Sequence, residues 1–444
     1  MEYKLNYKRT MLIGLAFLSI SAFWQLYDSV IPLILRDTFK IGDTLSGVIM
    51  AADNVLALFL LPVLGAFSDK VDTRLGKRMP FILAGTAVSA VLMSFLPMID
   101  NSYSAAAESG KRILFIGVLL LLLVSMAFYR SPAVALMPDL TPKPLRSKGN
   151  AVINLMGALG GIFTLVFMKI LYSKAAAEGE HTDYLPIFLI VACLMAVSVV
   201  VLFFTIKEKR DNADVLKYES EHPEAELTVE TDGGKRKLPA DVRKSLGFIL
   251  ASIALWFMAY NAVTTAFTKY ATSVWKMSPG DAAMCMMVAT GGAIIFFIPV
   301  GIISSRIGRK RTILMGCALL TACFAGAAVY GFFAKSFAVW LYGLFVLIGF
   351  AWASINVNSL PMVVEMCSGS DVGKFTGLYY TFSMSAQVVT PILSGALLEN
   401  VGYHTLFPYA MIFAAASGVT MCFVRHGDNK PQRVSALESL DAGD

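Results

Sequence analysis

The sequence predicts an all-α integral membrane protein with twelve transmembrane helices arranged as two six-helix bundles. Three observations carry that reading. The AVILMFWYC residues make up 57% of the chain and charged residues only 15%, where a soluble domain carries about 25% charged. The apolar residues gather into twelve runs long enough to cross a bilayer. One loop motif also appears twice, at matching places in the two halves. By length alone, 444 residues would allow about three soluble domains, but so few charges could not cover their surfaces. Disorder, collagen and disulfide scaffolds fall on the same figures. The six cysteines are dispersed without a C-x-x-C pair or metal-ligand spacing and read as small packing hydrophobes.

A helix crossing the ~30 Å hydrocarbon core needs about 20 mainly apolar residues. The first six runs lie near 11–34, 44–67, 80–99, 112–137, 149–172 and 185–206. The second six lie near 245–269, 280–303, 312–333, 337–360, 375–398 and 404–424. They are too long and too poor in alternation to be barrel strands. The first run is too long for a signal sequence, contains Asp28 and precedes eleven others, so it is expected to be retained. The expected organisation is a bundle over 1–206, a linker over 207–244, a second bundle over 245–424 and a tail over 425–444. The linker mixes ten acids with nine bases and reads as solvated, with a short surface helix near 212–218. The polar tail from His426 is expected to be mobile.

Lys and Arg set the orientation. With the N-terminus inside, 27 of the 37 basic residues fall on the inner face, nine on the outer ends, and Arg130 inside a span. That bias places both termini in the cytoplasm of a multi-pass plasma (or bacterial inner) membrane protein. The net charge of +6 therefore reflects topology and gives no support to a nucleic-acid partner.

The loop after span 2 contains Gly65, Ser68, Asp69, Arg74, Gly76, Lys77 and Arg78; the loop after span 8 contains Gly301, Ser304, Arg306, Gly308, Arg309, Lys310 and Arg311. Both open on G-x-x-S and close on a glycine followed by bases. A duplicated six-helix unit predicts this echo. Asp69 is placed to accept from a helix N-terminus or a loop arginine and so hold one side closed. The gating set is then Gly65, Ser68, Asp69, Arg74, Gly76, Lys77, Arg78, Arg306, Gly308 and Arg309. The plainer alternative is that the bases only enforce topology. A weaker second echo puts Asp139 and Glu365 at the ends of spans 4 and 10, with Lys148 and Lys374 at the next starts.

Three ionisable residues lie well inside the apolar runs: Asp28, Asp53 and Arg130. Each costs about 2.5–3.5 kcal/mol at the bilayer centre on insertion scales, so each is expected to face a cavity or a partner. Span 1 aligns Ser21, Trp24, Gln25 and Asp28 on one helical face. The indole there can stack on the C–H face of a sugar, and a carboxylate in such a place exchanges its proton according to desolvation and nearby cations. Asp28 is the first candidate for proton coupling and Asp53 the second. Asp53 could instead be a buried structural partner of Arg130 or make a helix-packing hydrogen bond. Arg130 could bind hydroxyls, hold an aspartate ionised, or snorkel to the headgroups.

The second half offers neutral groups. Span 7 has Tyr260, Asn261, Thr264, Thr265 and Thr268. Span 10 has Trp352, Asn356 and Ser359, with Asn358 beside them. Span 11 has Tyr379, Tyr380, Ser383, Gln387 and Thr390. Amides, hydroxyls and aromatics suit an uncharged, polyhydroxylated substrate; they equally suit helix–helix hydrogen bonds. No nucleophile elbow, phosphate-cradling loop, ATPase module or metal cluster is present in the sequence, so no enzyme and no cofactor is expected, and gradients must drive any transport.

The repeated loop resembles the signature of the major facilitator superfamily. Within it, the run from Ser68 and Asp69 through Arg74, Gly76, Lys77 and Arg78 to Pro80 and Phe81 resembles that of sucrose/proton symporters and solute carrier family 45. Gly149, Asn150, Asn154, Gly160 and Gly161 resemble the start of that family's span 5. Gly377, Tyr379, Tyr380 and Pro391 resemble span 11 of its bacterial members. The resemblance implies a proton-coupled importer of glucosides such as sucrose or maltose. It adds Asn154 to a substrate cavity with Trp24, Gln25, Asn261, Thr265, Asn356, Tyr379, Tyr380 and Gln387. The related sodium/melibiose-type symporters have paired aspartates where this chain has Ala57 and Leu61, so that sodium site is absent, and their sugar-binding acid matches Arg130. The partners expected are a small sugar and the lipid bilayer, with the chain a monomer and protons as coupling ion. The competing readings are a proton-driven efflux antiporter of amphiphilic compounds and a non-transporting membrane sensor.

Overall fold

Every predicted span is a helix in the computed structural model, which describes residues 5–103, 108–142, 146–174, 181–221, 239–334, 336–366 and 372–428. The chain packs as two compact units, Met1–Glu226 with Ser278–Ala283, and Leu227–Met277 with Met284–Asp444. In the first half the helices are α1 Tyr7–Asp37, α2 Asp43–Lys70, α3 Met79–Asn101, α4 Glu108–Asp139, α5 Arg146–Leu171, α6 Leu185–Thr205 and α7 Glu208–Glu221. In the second they are α8 Ala240–Ser273, α9 Pro279–Ile307, α10 Arg309–Phe333, α11 Leu341–Val364, α12 Val372–Asn400 and α13 Leu406–Cys422. All but α7 are long and apolar enough to cross a membrane. The 31 residues of α1 extend about 46 Å, so several helices project beyond the hydrocarbon. Among the described residues there is no strand, only an isolated bridge between Thr73 and Gly76.

The same pairings recur inside each unit. α1 packs on α5 and α6, and α3 on α4 and α6; correspondingly α8 packs on α12 and α13, and α10 on α11 and α13. The duplication legible in the loops is thus a duplication of packing. Small residues set the closest approach. On α5, Gly160 lies so near the Leu18 backbone of α1 that a β-carbon could not fit, and one turn on, Thr164 Oγ1 donates to the Ala22 carbonyl at 2.9 Å.

Two expectations need correction. The linker is not solvated throughout: its first part is α7, longer than the surface helix expected near 212–218, and it is docked, with Glu208, Asp211 and Val215 buried. Glu208 is taken up as a helix cap and Asp211 accepts the Lys207 N–H at 3.0 Å, which is why their polarity did not keep these two acids in water. Its last residues, from Ala240, already belong to α8. The start of the tail is also fixed rather than mobile. His426 Nδ1 meets Ser245 Oγ at 2.8 Å, and Asp428 Oδ1 accepts the Lys310 N–H at 3.0 Å. The rest of the tail lies outside the described residues.

Gly160→Leu should separate α1 from α5 and cost about 1–3 kcal/mol, as overpacking does. Gly117→Leu, where nothing lies within 4 Å, should be neutral; thermal unfolding in detergent of the two variants checks both.

Candidate functional site

The side chains singled out within the spans divide by chemistry between the two units. In the first, Asp28 on α1, Asp53 on α2 and Arg130 on α4 come together. Asp53 stands within electrostatic reach of both Asp28 and Arg130, and all three are half-buried. The Arg130 guanidinium carbon lies 5.7 Å from the centroid of the Trp24 ring, a cation–π distance. Arg130 therefore turns toward the acids and the indole instead of snorkelling. Asn54 Nδ2 donates to Asp53 Oδ1 at 2.8 Å. Trp24 is held edge-on by Phe23 at 5.0 Å and Tyr27 at 5.5 Å, and its indole N–H meets no acceptor. Across from this stripe α5 is kept small: a β-carbon on Gly157 would sit 2.9 Å from Ser21 Oγ, and one on Gly161 3.7 Å from Gln25 Oε1. The Asn154 Nδ2 amide on the same helix is also without an acceptor. Gln25 is partly spent, donating to Ser29 Oγ at 3.0 Å.

The second unit carries aromatics and amides. Tyr260 stacks on Trp352 with centroids 3.8 Å apart and planes 6° from parallel. Phe257 meets the same indole edge-on at 5.4 Å, and Tyr379 stands 6.4 Å from Phe257 with its hydroxyl 3.2 Å from Ser359 Oγ. Tyr379 and Asn356 are buried, Tyr380 is exposed and Gln387 half-buried. Asn261 keeps its Nδ2 without an acceptor. Most hydroxyls in these stripes turn inward on their own helices. Thr264 and Thr265 donate to the Asn261 carbonyl at 3.2 and 2.7 Å, Ser383 to Tyr380 at 3.1 Å and Thr390 to Ala386 at 2.6 Å. Those protons satisfy backbone, whereas among the residues singled out for the cavity Trp24, Asn154 and Asn261 keep buried N–H donors without an acceptor. Phe257 and Tyr27 were missed from sequence because apolar and aromatic residues in a span carry no mark of which face is lined.

The two echoing loops are built alike. Ser68 Oγ donates to the Gly65 carbonyl at 2.8 Å, and Ser304 Oγ to Gly301 at 3.0 Å. Gly76 and Gly308 take φ of 115° and 98°, a region that disfavours side chains, and each is followed by a helix N-terminus capped by a carboxylate from the end of its own half. Glu208 accepts from the N–H groups of Lys77 (2.6 Å), Arg78 (3.0 Å) and Met79 (2.9 Å). Asp428 does the same for Lys310. Arg78 is the hub of the first loop: it pairs with Asp69, bonds Ser68 Oγ, and donates through Nε to Asp139 Oδ2 at 2.9 Å. Arg309 pairs with Glu365 in the second. Asp139 and Glu365 were visible from sequence, but as acids awaiting unknown bases; Lys148 and Lys374, offered as echoes beside them, have side chains outside the description. Arg74 and Arg306 are exposed, so the bonding falls to Arg78 and Arg309. Lys209 of α7 meets Asp72 at 2.8 Å and holds that exposed carboxyl below its usual range. The capping acids Glu208 and Asp428 went unnoticed, although each lies a few residues beyond the last span of its half.

The Major Facilitator Superfamily model matches residues 13–361 and again 275–440. The chain belongs to the Major Facilitator Superfamily. That family is one of multi-pass membrane transporters and not of enzymes. Among the superfamily's members the chain is 27% identical over 185 residues to sucrose transport protein SUC3 of Arabidopsis thaliana, covering 39% of this chain and 30% of that one. The chain thus spans about a third of the length of the sucrose transporters it matches. An uncharacterized MFS-type transporter of Methanocaldococcus jannaschii is 23% identical over 86% of this chain and 87% of its own. In structure it is similar to a D-xylose-proton symporter (TM-score 0.69, 13% identity, 95% and 98% covered) and to the nucleoside transporter NupG (TM-score 0.66, 14% identity, 94% and 100% covered). These likenesses establish the superfamily fold, on which the duplicated loops and caps sit.

Arg78→Ala and Glu208→Ala should each lower stability by about 1–3 kcal/mol, since each leaves buried partners unpaired. Arg74→Ala should change it by less than about 0.5 kcal/mol. Thermal melts of the three variants at one pH make the comparison.

Proposed function

We propose that this transporter is a proton-coupled symporter of a sugar, of the sucrose or maltose type, working by alternating access in a plasma or bacterial inner membrane with both termini in the cytoplasm. The observation that carries the proposal is the grouping of Asp28, Asp53 and Arg130 beside the Trp24 indole. Two carboxylates and one guanidinium in a low-dielectric interior balance only when one proton is bound as well. Arg130 lies with Asp53, which leaves Asp28 as the acid that takes the proton. Movement of α1 relative to α4 would change which acid the guanidinium serves, and so tie proton release to substrate passage. In the first unit the open N–H groups of Trp24 and Asn154 are donors suited to hydroxyl oxygens, and in the second Asn261 offers another; the aromatic faces of each suit sugar C–H groups.

The distant sucrose transporters and the D-xylose-proton symporter support this direction. The orientation rests on the excess of Lys and Arg on one face. No resident cofactor is proposed, and the working unit is taken as the monomer.

In proteoliposomes with an inwardly directed proton gradient, labelled sucrose, maltose and related glycosides should be accumulated, with at least one taken up saturably. Asp28→Asn should abolish gradient-driven accumulation, by about tenfold or more, while leaving sugar exchange at equal pH. No uptake across the panel, together with proton flux driven by a lipophilic cation, would overturn sugar symport in favour of efflux. Normal accumulation by Asp28→Asn would move the proton from that residue.

A further inference from the structure

Arg130 is the middle one of three consecutive residues of α4 that each engage a neighbouring helix. Successive side chains on a helix leave it about 100° apart, so Tyr129 and Ser131 flank the direction taken by the guanidinium. On one flank the Tyr129 side chain is fully buried and reaches α1. Its hydroxyl lies 2.6 Å from Ser19 Oγ and 3.1 Å from the Ala16 carbonyl, and Ser19 Oγ lies 2.9 Å from that same carbonyl. Two hydroxyl protons and one carbonyl thus close a buried triangle between the two helices. On the other flank Ser131 Oγ donates to the Leu61 carbonyl of α2 at 2.9 Å. Glycines on the neighbours make room for this seating. A β-carbon on Gly85 of α3 would lie 2.9 Å from Tyr129 Cβ, and one on Gly65 of α2 3.2 Å from Ser131 Oγ.

This turn of α4 is where such ties are needed. Pro132 lies inside the helix and has no N–H to give the Phe128 carbonyl, so the ladder lacks the bond that would span residues 129–131. The rotation of the turn is then set from outside it.

We propose that Tyr129 and Ser131 are positioning residues, tying the proline-weakened turn of α4 to α1 and α2 so that Arg130 stays between Trp24 and Asp53. Both destinations of the guanidinium belong to the helices so tied. Trp24 stands five residues beyond Ser19 on α1, and Asp53 eight residues before Leu61 on α2. The tie to α1 is also a pivot. Asp28 lies nine residues beyond Ser19, about 13 Å along the helix, so tilting α1 about the Tyr129 hydroxyl displaces Asp28 while Ser19 stays in place. The pivot's part in coupling rests on the proposed proton symport; the positioning of Arg130 does not.

The test needs neither cargo nor gradient, so failure of sugar symport would leave it standing. The full chain is labelled with 5-fluorotryptophan, and the fluorine resonance absent from Trp24→Phe is assigned to Trp24. Arg130→Gln removes the cation from the indole face and defines the full displacement of that resonance. Tyr129→Phe and Ser131→Ala, which keep Arg130, should each move it the same way, and together by at least about half of that displacement. In the Arg130→Gln background neither should move it further. Ser125→Ala is the control for lost packing. Ser125 Oγ also bonds α4 to α3, donating to the Gly85 carbonyl at 3.1 Å, but it does not flank Arg130, so its loss should leave the Trp24 resonance in place. A resonance unmoved by Arg130→Gln, by Tyr129→Phe or by Ser131→Ala overturns the proposal. So does a Tyr129→Phe displacement that persists in the Arg130→Gln background, or an equal one in Ser125→Ala. Ser131→Ala, the milder change, carries the test if Tyr129→Phe fails to fold.

Discussion

The interior of a bilayer holds no water to satisfy a stray N–H, C=O or charge, and the architecture of this chain answers that constraint at every level. Within the helices, Thr264, Thr265, Ser383 and Thr390 turn their hydroxyls back on their own backbone. At the helix ends the solution is long-range. The carbonyls at the end of α4 and just beyond it accept from residues far away in sequence, Asp139 from Asn212 at 2.8 Å and Leu140 from Arg9 at 2.7 Å. The first N–H groups of α3 and α10 are capped by Glu208 and Asp428. A carboxylate suits that role because it faces the positive end of the helix dipole while accepting several N–H bonds.

These caps explain why the duplicated loops carry the residues they do. A glycine at positive φ brings the chain round to the helix start, and the following arginine reaches an acid at the end of the fourth or tenth span. The two copies are not equal. Asp69 has no counterpart, since the matching position in the second loop is Ser305, so Arg78 holds two acids where Arg309 pairs with Glu365. The first unit also holds Asp28, Asp53 and Arg130, half-buried within its spans, while the second holds the stacked Tyr260 and Trp352. Duplication supplied the frame, and substitution gave each half different chemistry.

The ionisable side chains of the first unit sit on that frame economically. Arg130 serves Asp53 and the Trp24 face at once, so one guanidinium links an acid-bearing helix to an aromatic surface. Much of this was legible beforehand: a charge in a span stands out against an apolar background, and Asp28, Asp53 and Arg130 were visible for that reason. Tyr27 and Phe257 were not, because an aromatic among apolar residues is ordinary in a span. The hydroxyl stripes misled in the other direction, since a sequence cannot say whether a threonine proton points outward or back onto its helix.

The sequence by itself determined the number of spans, the duplication, the place of the two loops and the ionisable residues to watch. Each of these follows from composition and short-range spacing, which the bilayer reads directly. The tertiary structure alone decided partners: Arg78 with Asp139, 61 residues away, and the α3 N-terminus with Glu208, about 130 residues away. An ion pair or a cap is chosen by which helix ends packing brings within 3 or 4 Å, and neither composition nor periodicity encodes that choice locally.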